Sequence, residues 1–249
     1  MKTCLIIPVY NNPATICKVV LDCLSLVNLN ILVIDDGSSP PVSKLFQDSK
    51  MFSQVSHARL QVISHSNNLG KGAAIKTGIS IARELGYSHV LTMDGDGQHY
   101  ADDLSKLLDC SRENPKKLII GAREMNAKNS PWLSRFGRFI SNAWVITSTA
   151  QSPGDSQSGM RLYPLDGLEN LNLHKQKYDF EMEVLLKLLQ SGTKCISVNI
   201  KVIYPPKRLR ISHFRLFADN LKIAVLCLET LLERWANSSR ILLSFLVRG

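Results

Sequence analysis

Asp94 and Asp96, one residue apart in the run Asp94-Gly95-Asp96-Gly97-Gln98-His99, are the carboxylates of this sequence best spaced to share a hard cation. Oxygen donors suit Mg2+ or Mn2+, which keep several waters and bridge carboxylates to a diphosphate, neutralising charge on a departing phosphate. Gln98 offers a neutral oxygen and His99 a further polar contact. A bare Asp-x-Asp often does no more than cap a turn. Here it follows the apolar run 88–93, which puts it at a strand end, where sites in open parallel sheets gather.

Asp35-Asp36-Gly37-Ser38 also follows an apolar run. A carboxylate there can accept from a nucleobase N–H or a ribose hydroxyl, and the same residues can form a plain Asp-Gly turn. Asn67-Asn68-Leu69-Gly70-Lys71-Gly72 sets glycines and a lysine directly before a helical stretch, where free backbone N–H groups and the helix dipole favour phosphate. It is not a Walker loop, because Gly72 rather than Ser or Thr follows Lys71. Nor is it a dinucleotide fingerprint, because Ile75 stands where the third glycine belongs.

The elements that must position these residues repeat one pattern, an apolar run ending in polar or glycine residues and feeding a helix, as parallel α/β sheets do. Strands are predicted at 5–9, 31–34, 60–64, 89–93 and 118–120, and a late one at 196–204, closed by Pro205-Pro206, neither of which can donate to a ladder. Helices are predicted at 14–24, 72–85, 139–150 and 179–189, with a glycine-bearing loop at 152–161.

The 249 residues suit one large α/β domain over 1–205 with an appendage at 206–249. The six cysteines (Cys4, Cys17, Cys23, Cys110, Cys195, Cys227) form no C-x-x-C pair, so reduced thiols are expected rather than a zinc knuckle or a disulfide scaffold. The sequence opens without a secretory leader and has no apolar run approaching about eighteen residues, so a cytoplasmic, peripheral protein is expected. The net charge is +9, and residues 205–249 hold eight Lys and Arg against three Asp and Glu. Large apolar residues alternate with these charges and no nucleic-acid motif is present, which favours an anionic lipid surface over nucleic acid as partner. Phe214, Phe217, Leu221, Ala224, Leu228, Leu231 and Trp235 recur at three- and four-residue steps, a helical stripe suited to an interface or to packing on the domain.

The ordered set of motifs resembles the inverting glycosyltransferases of family 2, above all the dolichyl- and polyprenyl-phosphate mannose or glucose synthases. Ile7-Pro8-Val9-Tyr10-Asn11, the Asp35-Asp36 turn, the Gly70-Lys71-Gly72 segment, the Asp94-to-His99 run, Gly121-Ala122-Arg123 and Asp155-Ser156-Gln157-Ser158-Gly159-Met160-Arg161 occur in the family's order over roughly four-fifths of the chain. The resemblance implies a GT-A fold that binds a nucleotide-diphospho-sugar, with Mg2+ or Mn2+ as cofactor. Carried over by position, Pro8, Tyr10, Asn11, Asp35, Asp36, Lys71, Gly72, Asp94, Gly95 and Asp96 line the donor, and Asp94, Asp96 and Gln98 hold the metal.

Two acceptor chemistries remain open under that resemblance. A polyprenyl phosphate is already ionised near neutral pH, with a second pKa of about 6, and needs arginine forks rather than a base. Arg123, Arg138 and Arg161, with Ser158, are the candidates. A hydroxyl acceptor instead needs a carboxylate to take its proton, for which Asp155 and Glu181 or Glu183 are candidates. Glu181 and Glu183 lie two apart on a predicted helix beside Asp179 and cannot share a face, so at least one of them is expected to be simply solvated.

Overall fold

The computed structural model describes residues 1–49, 57–124 and 132–203, together with Val225. The predicted stripe and the appendage at 206–249 lie outside the described residues. Seven strands form one sheet: β1 (Thr3–Val9), β2 (Asn30–Asp35), β3 (Leu60–Ser64), β4 (His89–Thr92), β5 (Leu118–Arg123), β6 (Arg161–Pro164) and β7 (Cys195–Ile200). Their order is β3-β2-β1-β4-β6-β5-β7. All pairings are parallel except those of β6, which runs against both β4 and β5.

Among the described residues six α-helices cover the two faces: α1 (Ile16–Leu26), α2 (Val42–Asp48), α3 (Lys71–Glu84), α4 (Asp103–Glu113), α5 (Trp132–Thr149) and α6 (Asp179–Gln190). Side chains alternate across a strand, so β1 sends Cys4 and Ile6 into a core with α3, α5 and α6, and Leu5, Ile7 and Val9 into a second core with α1, α2 and α4. Burial on both faces explains why β1 reads as an unbroken apolar run. Burial pushes the Cys4 and Cys23 thiols up to about 12, and the five cysteines among the described residues are unpaired. Among the described residues no helix is long and apolar enough to cross a membrane.

The observed elements match most of the expected ones with shifted ends and add helix α2, which no expectation covered. Strand β6 begins at the last residue of the predicted loop and was not anticipated, its four residues being too few to show a period. Helix α5 starts at Trp132 rather than 139, and β7 ends at Ile200 rather than 204. Helix α4 was not anticipated, although Leu104, Leu107, Leu108 and Ser111 mark its buried stripe at helical spacing.

Candidate active site

The sheet reverses direction of growth between β1 and β4, and the loops after those strands meet at their carboxyl ends, where a crevice forms in open α/β sheets. Asp94 and Asp96 follow β4 there. Thr15 at the mouth of α1 donates to the Gly95 carbonyl at 2.7 Å, and a side chain at position 95 would crowd Ile16 and the Pro8 carbonyl. The carboxylate turn is thus seated directly on the end of β1.

Lys71, the first residue of α3, reaches across to this turn. Its ammonium lies 2.7 Å from Asp94 and 2.7 Å from Glu181 of α6. Burial would lower the Lys71 pKa, but Asp94 and Glu181 outweigh it and hold the ammonium firmly protonated. Asp94 answers in kind: burial alone would raise it, yet Lys71, assisted by nearby positive charge, keeps its carboxyl below the usual range. Asp96 is pushed up to about 6, first by burial and then by the negative charge of Asp94. One oxygen of Asp96 accepts from the Gln98 backbone N–H at 2.9 Å. Burial lowers His99 to about 4, so its imidazole is neutral near pH 7.

The pair therefore carries hard oxygen donors and a negative charge that Lys71 only partly offsets, which fits Mg2+ or Mn2+. Among the described residues no cluster of three or more His, Cys, Asp or Glu is arranged around a metal position.

Asp35 and Asp36 are buried and turned toward the backbone. Asp35 accepts from the N–H groups of Ser38 and Val42, both at 2.9 Å. Asp36 accepts from Leu69 and Gly70 at 2.9 and 2.8 Å and contacts His65 at 2.7 Å. The Asp-Gly turn and the Gly-Lys segment are in this way one assembly, and two amides expected to be free for phosphate are engaged by Asp36. Asn11 adds a third strand end, with its N–H on Ser38 Oγ at 3.0 Å and its side-chain oxygen on the Ser39 N–H at 2.9 Å. Pro8 lies in β1, and Tyr10 is half-buried beside Asn11. Gly72 has a packing role: a Cβ there would fall 2.4 Å from Phe180 Cβ, so only glycine lets α3 start against α6.

The loop before β6 closes the other side. Asp155 is fully buried and receives the Arg123 fork at 2.6 and 2.9 Å and Arg138 at 3.1 Å. Burial would raise its pKa, but the two guanidiniums hold it below the usual carboxylate range. Arg161 is buried and donates to the carbonyls of Ser158, Glu181 and Ser156 at 2.8, 2.6 and 2.6 Å, which makes it a bolt between loop and α6. Ser158 is buried, its hydroxyl accepting from the Met160 N–H at 3.3 Å. At Gly159 the loop touches the carboxylate turn, since a Cβ there would meet the Asp94 carboxylate oxygens at 2.4 and 2.7 Å.

Glu183 faces away from Glu181, accepting from the His174 and Lys175 N–H groups. The two point apart as expected, but neither is solvated: both are buried, Glu181 against Lys71 and Glu183 on backbone N–H groups and Lys187. Sequence reasoning overlooked His65, which joins Asp36 to Thr77, and Asn142, which fixes Gly154 and Ser156. His65 gave no signal. Asn142 did, standing one helical turn beyond Arg138 on the same face.

A profile described as glycosyl transferase family 2 matches residues 4–163. A UDP-N-acetylglucosamine–dolichyl-phosphate N-acetylglucosaminyltransferase of Methanococcus voltae is 30% identical over 220 residues, covering 80% of this chain and 85% of that protein. The polyprenol monophosphomannose synthase of Mycolicibacterium smegmatis is 27% identical over 209 residues, 80% of this chain and 76% of that one. Among solved structures, glucosyl-3-phosphoglycerate synthase from Mycobacterium tuberculosis, in complex with Mn2+, uridine-diphosphate and phosphoglyceric acid, superposes with a TM-score of 0.64 at 16% identity. It covers 92% of this chain and 78% of that one. The fold is of the GT-A type expected from the sequence.

Proposed function

The chain belongs to glycosyl transferase family 2, and from that premise we propose that it moves a hexose from a nucleotide-diphospho-sugar to a polyprenyl phosphate, inverting the anomeric carbon. Mg2+ or Mn2+ at Asp94 and Asp96 belongs to the proposal, as does action at the cytoplasmic face of a membrane. The names of relatives that state dolichyl phosphate or polyprenol support the acceptor class, and the neighbour in complex with Mn2+ and uridine-diphosphate supports the cation. The observation that carries the reading is Asp94 wedged between Lys71 and Gly159, which joins a donor carboxylate to an arginine-bearing loop.

Asp94, Asp96 and the Gln98 side chain would hold the cation, which when bound would supply positive charge against the departing diphosphate. Lys71 adds a fixed ammonium in a half-dry site, where it offsets the negative charge developing on the leaving group. Pro8, Tyr10 and Asn11 frame the nucleoside, and Asp35 and Asp36 hold that frame from behind. Arg123 and Arg138, aligned by Asp155, bring positive charge to the acceptor phosphate, and Arg161 and Ser158 keep their loop in shape. One phosphate oxygen forms the new bond to the anomeric carbon as the bond to the nucleoside diphosphate breaks. With a second pKa of about 6 that oxygen is ionised at neutral pH and needs no base.

The state of the carboxylates favours this acceptor over a hydroxyl. Asp155 is covered by the Arg123 and Arg138 guanidiniums, which hold its carboxyl below the usual range and make it a poor proton acceptor, and Glu181 is tied through one oxygen to Lys71.

The test is transfer of labelled sugar from UDP-N-acetylglucosamine, UDP-glucose or GDP-mannose to a detergent-dispersed polyprenyl phosphate, with and without Mn2+, and with Asp96→Ala. A lipid-linked product that needs the cation and disappears in the variant is the expected result. Failure to bind any nucleotide, with or without cation, would overturn the reading.

A further inference from the structure

Helix α5 has two faces of opposite character. Arg138, Ser141, Val145 and Ser148 are buried, and at 100° per residue they fall within an arc of about 80°. Val145 packs in the core shared with α6, and Arg138 reaches Asp155. Phe136, Phe139, Ile140 and Ile146 are 57%, 61%, 40% and 45% exposed. With exposed Ala143 they occupy an arc of about 120° centred opposite the buried one. Two adjacent phenylalanines more than half open to water are a contiguous apolar surface rather than the scattered exposure ordinary in proteins.

Charge identifies the occupant. Arg135 is exposed at the edge of this face. Residues 125–154 contain Lys128, Arg135 and Arg138 and not one carboxylate, and the whole chain has a net charge of +9. Aromatic residues flanked by arginine, on a helix without acidic side chains, suit the boundary between anionic headgroups and acyl chains.

We propose that the outer face of α5 is a membrane-docking surface, seating Phe136, Phe139 and Ile140 in the headgroup region of an anionic bilayer with Arg135 on the lipid phosphates. The inner face of the same helix presents Arg138 to the Asp155 loop, so docking holds the arginine pair at the depth where a lipid phosphate lies. The inference deepens the proposed acceptor class and rests on it for its purpose, but vesicle binding tests it without any transfer reaction.

The experiment is co-sedimentation of the full chain with vesicles of phosphatidylglycerol and phosphatidylcholine, and with phosphatidylcholine alone. Phe136→Ser/Phe139→Ser is expected to weaken partitioning to anionic vesicles at least tenfold while leaving nucleotide binding unchanged, which also establishes that the variant is folded. Arg135→Glu is expected to weaken binding to anionic vesicles and to leave phosphatidylcholine binding unaltered. Unchanged vesicle binding in both variants overturns the proposal. So does a wild-type chain that ignores vesicles and sediments as a dimer which the double substitution dissociates. Vesicle binding that behaves as stated, together with absence of sugar transfer, would sink the proposed function and leave the docking surface standing.

Discussion

The Lys71 ammonium and the Asp94 carboxylate, 2.7 Å apart, join the first residue of helix α3 to the turn after strand β4. The same ammonium holds Glu181 of α6. One cation thus fixes the relative position of three elements around the proposed donor site, and its removal should be felt in both folding and catalysis.

Lys71→Met leaves Asp94 and Glu181 facing each other without the charge between them. Breaking a buried ion pair from one side costs roughly 3–5 kcal/mol, and the partial exposure of Asp94 reduces this to about 2 kcal/mol. Thermal unfolding should register that loss. Transfer should fall by about a hundredfold or more in kcat, as expected when a fixed charge facing the leaving group is removed.

Gly159→Ala places a methyl group where the Asp94 carboxylate now lies, at 2.4 Å. Asp94 must turn away, and misplacement of about 1 Å in a catalytic group can cost a hundredfold. Nucleotide titrations with and without Mn2+ should lose their cation dependence, while the circular dichroism spectrum stays that of the native chain.

Asp96→Asn separates stability from activity. The native carboxyl titrates at about 6, above its ordinary 3.8, so between those values the folded chain binds more protons than the unfolded one. Cation-free stability therefore declines as pH rises through that window, and at pH 7 the ionised Asp96 is a liability of about 2–3 kcal/mol. The asparagine variant should melt higher than wild type at pH 7 without divalent cation, yet show no cation-dependent transfer. Equal melting temperatures would count against this account.

Asp155→Asn acts with the opposite sign. The native carboxyl lies below its ordinary 3.8 because Arg123 and Arg138 outweigh its burial. Its stabilisation is complete above the unfolded pKa and is lost as pH falls from there through the folded value. Wild type should lose melting temperature on acidification below about pH 4 more steeply than the variant. At pH 7 the variant should be less stable by roughly 3 kcal/mol, the cost of leaving two guanidiniums without their counter-charge.

Much of this was legible in the sequence for a physical reason. Strands buried on both faces need continuous apolar runs, so β1, β2 and β4 announced themselves, and residues just after them mark the rim of the sheet whatever the family. Strand β6 was hidden because four residues starting with arginine carry no period, and the burial of Arg161 depends on three carbonyls distant in sequence or set by a loop. The expectation of open amides before α3 missed a long-range partner: nothing in Asn67–Gly72 reveals that Asp36 reaches those N–H groups. The guanidinium fork and the motif resemblance make Arg123, Arg138 and Arg161 equal candidates for a phosphate, and neither separates Arg123 on the Asp155 clamp from Arg161 inside the core.

Strand β6 runs against its neighbours, so its first residue, Arg161, stands beside Thr92 at the end of β4 and Ile120 near the end of β5. A parallel strand would have sent its preceding loop to the far edge of the sheet. The reversal makes the proposed donor and acceptor segments a single mechanical part, which sets a rule for hybrid enzymes. Exchanging residues 152–160 with those of a relative will transplant acceptor preference only when the incoming loop brings its own small residue at 159 and its own counter-ion for Arg138. A cut between the halves near residue 150 would sever one working unit rather than separate two modules.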